Sequence, residues 1–261
     1  MLKTRIITAV IALVALGVVL FLVPPRLTEL AIGLVILAGA WEWSAFLGLS
    51  SKPARAIYVV IVGALCALPY LLLPVSREAI LQIACAWWFV AFAWTFFYPT
   101  AIPAAVRWLS GALVLVPAFT ALILLFRSGV EFLLFALLIV WAADAGAYFA
   151  GKQFGRVKLA PAISPGKTWE GAIGGLLVVA VLAVATAYWA GVRPSVLLPF
   201  CLAVAAISIV GDLTVSMFKR TSGIKDSGSL FPGHGGVLDR IDSVSAASPL
   251  FALGVNWLGV V

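Results

Sequence analysis

The chain has 261 residues, of which 64% are hydrophobic and only 10% charged, with a formal net charge of +7. A soluble domain is roughly 45–50% apolar, so this composition excludes an ordinary soluble protein. It also turns the positive charge away from nucleic acid and towards basic loops that fix topology in a lipid bilayer.

Apolar runs of about 20 residues recur from end to end, long enough to cross a hydrocarbon core of about 30 Å. A β-barrel is excluded because its strands would alternate apolar and polar residues. The prediction is an all-α polytopic membrane protein, one domain over residues 1–261, with about nine transmembrane helices and two longer cytoplasmic loops. The spans fall at roughly 6–23, 29–47, 57–74, 79–98, 107–126, 131–150, 172–191, 196–215 and 245–261. Lys3 and Arg5 precede the first run without a small-residue cleavage site after it, which predicts an uncleaved first helix. Pro24-Pro25, Pro74, Pro99, Pro103, Ser128-Gly129 and Pro194 punctuate the runs, while Pro69 and Pro117 fall inside them. Trp41, Trp43, Trp94, Tyr98, Trp108, Trp141, Tyr148 and Trp189 crowd the ends, as interfacial anchors do. Cys66, Cys85 and Cys201 lie singly in apolar segments, without the spacing of a disulfide framework or a zinc site.

Placing the N-terminus in the cytoplasm leaves Arg26, Arg77, Arg127 and Arg193 outside and the other thirteen of the chain's 17 Lys and Arg inside. Leaving out every cation from residue 152 onward still gives five inside against three outside. The positive-inside rule therefore puts both polar loops, 151–171 and 216–244, on the cytoplasmic side.

Three carboxylates stand within or at the ends of apolar runs: Glu42, Asp144 and Asp212. A buried charge at membrane depth is costly and usually marks a site. That reading is favoured for Asp212 and Asp144; for Glu42 a snorkelling or loop-edge role is the plainer one. In the first polar loop, GKT at 166–168 lacks the leading glycine of a phosphate loop, since Pro161 stands there. Ser164, Lys167 and Thr168 still sit just before a helix, where free N–H groups and a lysine attract phosphate. As helix caps with a topology-fixing lysine, the same residues would carry no chemistry.

The second polar stretch, 212–243, holds four of the ten acidic residues (Asp212, Asp226, Asp239 and Asp242) and the only histidine, His234. Asp212 and Ser216 are one helical turn apart, with Lys219 a turn further on. Asp239 and Asp242 share a face if DRID is helical. Gly228, Gly233, Gly235 and Gly236 surround Pro232 and His234, giving a loop whose N–H groups can approach an anion closely. Carboxylates with Ser216 are hard oxygen ligands of the kind Mg²⁺ takes, and Lys219, Arg220, Lys225 and Arg240 suit phosphates. A basic patch for anionic lipid headgroups would explain the cations but not the converging acids.

Ser216-x-x-Lys219-Arg220, Lys225-Asp226 and Pro232-Gly233-His234-Gly235-Gly236-Val237-x-Asp239-Arg240-x-Asp242 together resemble the signature of the phosphatidate cytidylyltransferases, or CDP-diacylglycerol synthases. SPGKTWEG at 164–171 and the run from Asp144 to Tyr148 match the same family. Many members carry an acidic residue just before the signature serine; here it is Val215. The resemblance implies transfer of CMP from CTP to phosphatidate in phospholipid biosynthesis, with Mg²⁺ required, release of pyrophosphate, and a homodimer. It implies an enzyme of the bacterial-type inner membrane, meeting its lipid in the bilayer and CTP at the cytoplasmic face. Asp212, Asp239 and Asp242 would hold the metal, one ion or two, with Ser216 nearby and Lys219 and Lys225 catalytic. Asp144, Ser164, Lys167, Thr168, Arg220, His234, Gly235, Gly236 and Arg240 would contact substrate. A CTP-dependent polyprenol or lipid kinase would use similar residues and is separated by its product. An ion or phosphate transporter would need polar residues at midplane in several spans.

Overall fold

The computed structural model describes residues 2–71, 75–228 and 235–257. Among them, nine α-helices follow in order: α1 (Leu2–Phe21), α2 (Pro25–Trp43), α3 (Lys52–Leu71), α4 (Val75–Thr95), α5 (Ala104–Ser128), α6 (Val130–Phe154), α7 (Trp169–Ala190), α8 (Pro194–Thr221) and α9 (Leu238–Trp257). Six of them, α3 to α8, are long and apolar enough to cross a membrane. The chain is a helical, polytopic membrane protein. One departure from an all-α architecture lies between α6 and α7, where β1 (Lys158–Ala160) and β2 (Ser164–Thr168) pair antiparallel.

The helix expected last is the one around which the bundle is built. α9 packs against α8, α5, α4, α6 and α2. From Asp242 to Pro249 it is buried throughout, including Ser243, Ser245 and Ser248. A helix enclosed by protein need not be apolar, because its neighbours rather than lipid satisfy it. This explains why hydropathy placed its start at residue 245, seven residues late. Residues 258–261 of the expected span, and Pro74 between the third and fourth, lie outside the described residues.

α8 likewise continues past its apolar run, because Ser216 and Lys219 are buried against protein rather than lipid. The loop expected at 216–244 is therefore helical at both its ends, since α8 runs to Thr221 and α9 begins at Leu238, and Ser216, Lys219, Asp239 and Asp242 are helical. Pro69 and Pro117 lie inside α3 and α5. Trp43 is not an interfacial anchor: it is fully buried, packed at a tilt against Phe46 and Phe218, and donates Nε1–H to the Arg107 carbonyl at 3.0 Å. Trp189, 91% exposed, does fit that role.

α6 and α7 meet along small residues. A Cβ on Gly175 would stand 2.5 Å from the Ala143 carbonyl oxygen, and one on Gly171 2.9 Å from that of Ala147. Such seams let backbones touch where lipid offers no hydrophobic drive. They fix the hairpin that joins the two helices.

Candidate active site

The charged groups gather at one end of the bundle, where α2, α6 and α8 finish and α7 and α9 begin. The hairpin enters this site from the side. Its Lys167 Nζ lies 2.6 Å from Asp212 Oδ2 on α8. Asp212 Oδ1 accepts from Ser216 Oγ at 3.2 Å, so the expected one-turn pairing is present. Arg220 Nε donates to the Ile163 carbonyl at 3.1 Å, clamping the hairpin tip to the end of α8. Ser164 is half-buried at the start of β2.

Thr168 is buried and serves as the N-cap of α7, its Oγ1 accepting from Gly171 N at 3.1 Å. Glu170 accepts from the N–H groups of Arg156 and Val157 at 3.1 Å, tying the end of α6 to the start of α7. The α7 N-terminus is thus partly satisfied by the protein itself, leaving Lys167 as the hairpin's charged contribution.

One turn beyond Ser216, Lys219 Nζ donates to Asp239 Oδ1 at 2.7 Å, with both side chains about nine-tenths buried. The other Asp239 oxygen accepts from Ser227 N and Gly236 N, each at 3.0 Å. Asp239 is therefore committed to a lysine and two amides. Asp242, 7% exposed, accepts from its neighbour Ser243 N at 2.8 Å and feels the charges of Asp212, Lys219 and Lys167. Asp144 is accessible from outside the bundle, within reach of the charges on Asp212, Lys167 and Arg240. Arg240, Lys225 and Asp226 are exposed. Val215 is fully buried in the apolar core, so the position before Ser216 faces away from the carboxylates.

Among the described residues, no group of three or more His, Cys, Asp or Glu side chains stands close enough to hold a metal alone. The predicted trio is divided: Asp212 and Asp242 face one another electrostatically, while Asp239 belongs to Lys219. This donor set still fits Mg²⁺, which commonly takes one or two carboxylates and completes its shell with water and substrate phosphates.

Among the described residues, Gly228, Gly235 and Gly236 lie against carboxylates of the protein itself. Gly235 takes φ +79°, and a Cβ there would stand 2.6 Å from Asp239 Oδ2. A Cβ on Gly228 or Gly236 would fall on the carboxylate of Glu42. The described part of the loop wraps the protein's own acids. Pro232, Gly233 and His234 lie outside the described residues. Glu42 itself is not a loop-edge group: it is buried and accepts three hydrogen bonds from the far side of the site. Ser227, one of its donors, carries no distinguishing signal in the sequence. The available signal was an acid, Glu42, between two tryptophans in an otherwise apolar run.

Fold and site together define a membrane-embedded protein with paired lysines and carboxylates at one end, suited to polyanionic substrates. The chain belongs to the cytidylyltransferase family, whose model matches residues 3–258. It is similar to the phosphatidate cytidylyltransferase of Pseudomonas aeruginosa, 45% identical over 262 residues that span 97% of this chain and 96% of that one. The phosphatidate cytidylyltransferase of Haemophilus influenzae is 40% identical over 285 residues, covering 97% and 98%. That of Staphylococcus aureus is 47% identical over 124 residues, 47% of this chain and 48% of its own.

Proposed function

We propose that this chain transfers CMP from CTP to phosphatidate, forming CDP-diacylglycerol and pyrophosphate for phospholipid synthesis. The observation that carries the reading is the Lys167–Asp212 pair, which joins the hairpin to α8 beside the buried Asp242. It brings cations and carboxylates together where two polyanions must meet.

A phosphate oxygen of phosphatidate forms a bond to the α-phosphorus of CTP, and the bond to the β-phosphate oxygen breaks. The lipid phosphate is already ionised, so no strong general base is needed. Lys167 and Lys219 supply positive charge for the triphosphate and the lipid phosphate, and their carboxylate partners hold them in place. Asp239 serves by fixing Lys219, and Arg220 by fixing the hairpin. Asp212 and Asp242 would hold Mg²⁺, with Ser216 beside them. When bound, that ion screens the triphosphate and stabilises the leaving pyrophosphate.

The charged end faces the cytoplasm in this reading, and all nine helices cross a bacterial-type inner membrane. The support is the excess of Lys and Arg at that end. The test is purified protein in detergent with CTP and phosphatidate, with and without Mg²⁺ and after chelation. CDP-diacylglycerol and pyrophosphate are the expected products. Phosphorylated lipid with CDP would mean a lipid kinase instead, and no turnover at all would reject both.

A further inference from the structure

Glu42, in the last turn of α2, reaches both flanks of the segment that separates α8 from α9. Its Oε1 accepts from Val237 N at 3.0 Å, and its Oε2 accepts from Leu238 N at 2.8 Å and Ser227 Oγ at 2.8 Å. Asp239 bridges the same flanks, through Ser227 N and Gly236 N. Residues 227 and 236–238 are thus drawn together by two carboxylates from different helices. The Asp239 carboxylate holds Lys219 directly. Glu42 comes from α2, which places no other charged group at this end.

The delivery of Glu42 is rigid. Trp43, the next residue, is fully buried and bonded to the Arg107 carbonyl, and Arg107 Nη1 donates to the Phe46 carbonyl at 2.9 Å. Gly228 and Gly236 lie where any Cβ would fall on the Glu42 carboxylate, so the chain can close on it only through glycine. Both Glu42 oxygens act as acceptors, and two of the donors are the N–H groups that open α9. A carboxylate there also complements the positive end of the helix.

We propose that Glu42 is a positioning residue for the transfer reaction. It ties the neck of the signature loop so that α9 starts at Leu238, with Asp239 on Lys219 and Asp242 beside Asp212. This rests on the function proposed above. Glutamine at this position keeps the size but turns an amide donor towards backbone donors, whichever way it lies. The core around Trp43 is untouched, but the neck loosens.

The test compares wild type, Glu42→Gln, Ser227→Ala and the double variant, by CTP turnover and by amide hydrogen exchange. Glu42→Gln should lower kcat between about 10- and 100-fold, as small misplacements of reacting groups do. KM for CTP and phosphatidate should change less than about threefold, because substrate contacts are kept. Exchange should rise across 226–240 and stay unchanged in α5 and α6. Ser227→Ala, which removes one of the three hydrogen bonds to Glu42, should lower kcat less, and the effects of the two substitutions should not simply add, since both act on the same carboxylate contact. Should Glu42→Gln fold poorly, Ser227→Ala carries the test alone. Wild-type kcat in the variants, or lost activity without faster exchange across 226–240, overturns the proposal. A wild type that does not turn over CTP rejects the proposed function instead, and exchange still reports whether Glu42 holds the neck.

Discussion

At the level of single residues, the site depends on where each carboxylate finds its charge. The Lys219–Asp239 pair is nearly buried, and removing one partner of such a pair costs about 3–5 kcal/mol. Asp239→Asn should therefore lower the unfolding temperature in detergent and abolish turnover together. Adding Lys219→Met should restore most of the stability, because no unpaired charge remains, without restoring turnover. Asp242→Asn should behave differently, keeping the fold but losing Mg²⁺-dependent turnover. Near-normal turnover in Asp242→Asn would reject its place at the metal. The residue types and spacing of these groups were legible in the sequence, because helical periodicity brings 212, 216 and 219 together and sets 239 beside 242. The role of Glu42 was not, since its partners lie 185 to 196 residues along the chain. The division of Asp239 from Asp212 and Asp242 was also invisible: three aspartates read alike until Lys219 selects one.

Among the elements, the least apolar helix proves the most central. Hydropathy found the helices long and apolar enough to cross a membrane, α3 to α8, and set their edges within a few residues except at the buried ends. It placed α9 late and cut α8 short because both carry their polar residues against protein. The β1–β2 hairpin is not legible in the sequence for another reason: KLAPAIS and SPGKT have no strand periodicity, and their pairing follows from the α6–α7 seam beneath. Gly175→Leu tests that seam. With the Ala143 carbonyl 2.5 Å from a Cβ there, a larger side chain must part the helices. Both the unfolding temperature and kcat should fall, as Lys167 loses its place on Asp212. Wild-type turnover with a lowered unfolding temperature would separate the seam from the site.

For the whole molecule, sidedness is the feature on which function depends. Helix alternation puts Glu42, Lys167, Lys219 and Asp242 at one end. The Glu29–Arg127 pair, 2.7 Å apart, lies at the other. In a chain with Cys66, Cys85 and Cys201 replaced by alanine, Lys158→Cys should react with an impermeant thiol reagent only from the cytoplasmic side, and Arg193→Cys only from the outside. The reverse pattern would separate the site from its CTP.

The central claim, cytidylyl transfer to a lipid phosphate, is tested most directly by the fate of two labels. Purified protein with Mg²⁺ and phosphatidate would be given CTP labelled at the α-phosphorus or at the γ-phosphorus. The account predicts that only the α label enters the lipid and that the γ label leaves as pyrophosphate. A lipid carrying the γ label, with CDP left in solution, would contradict it.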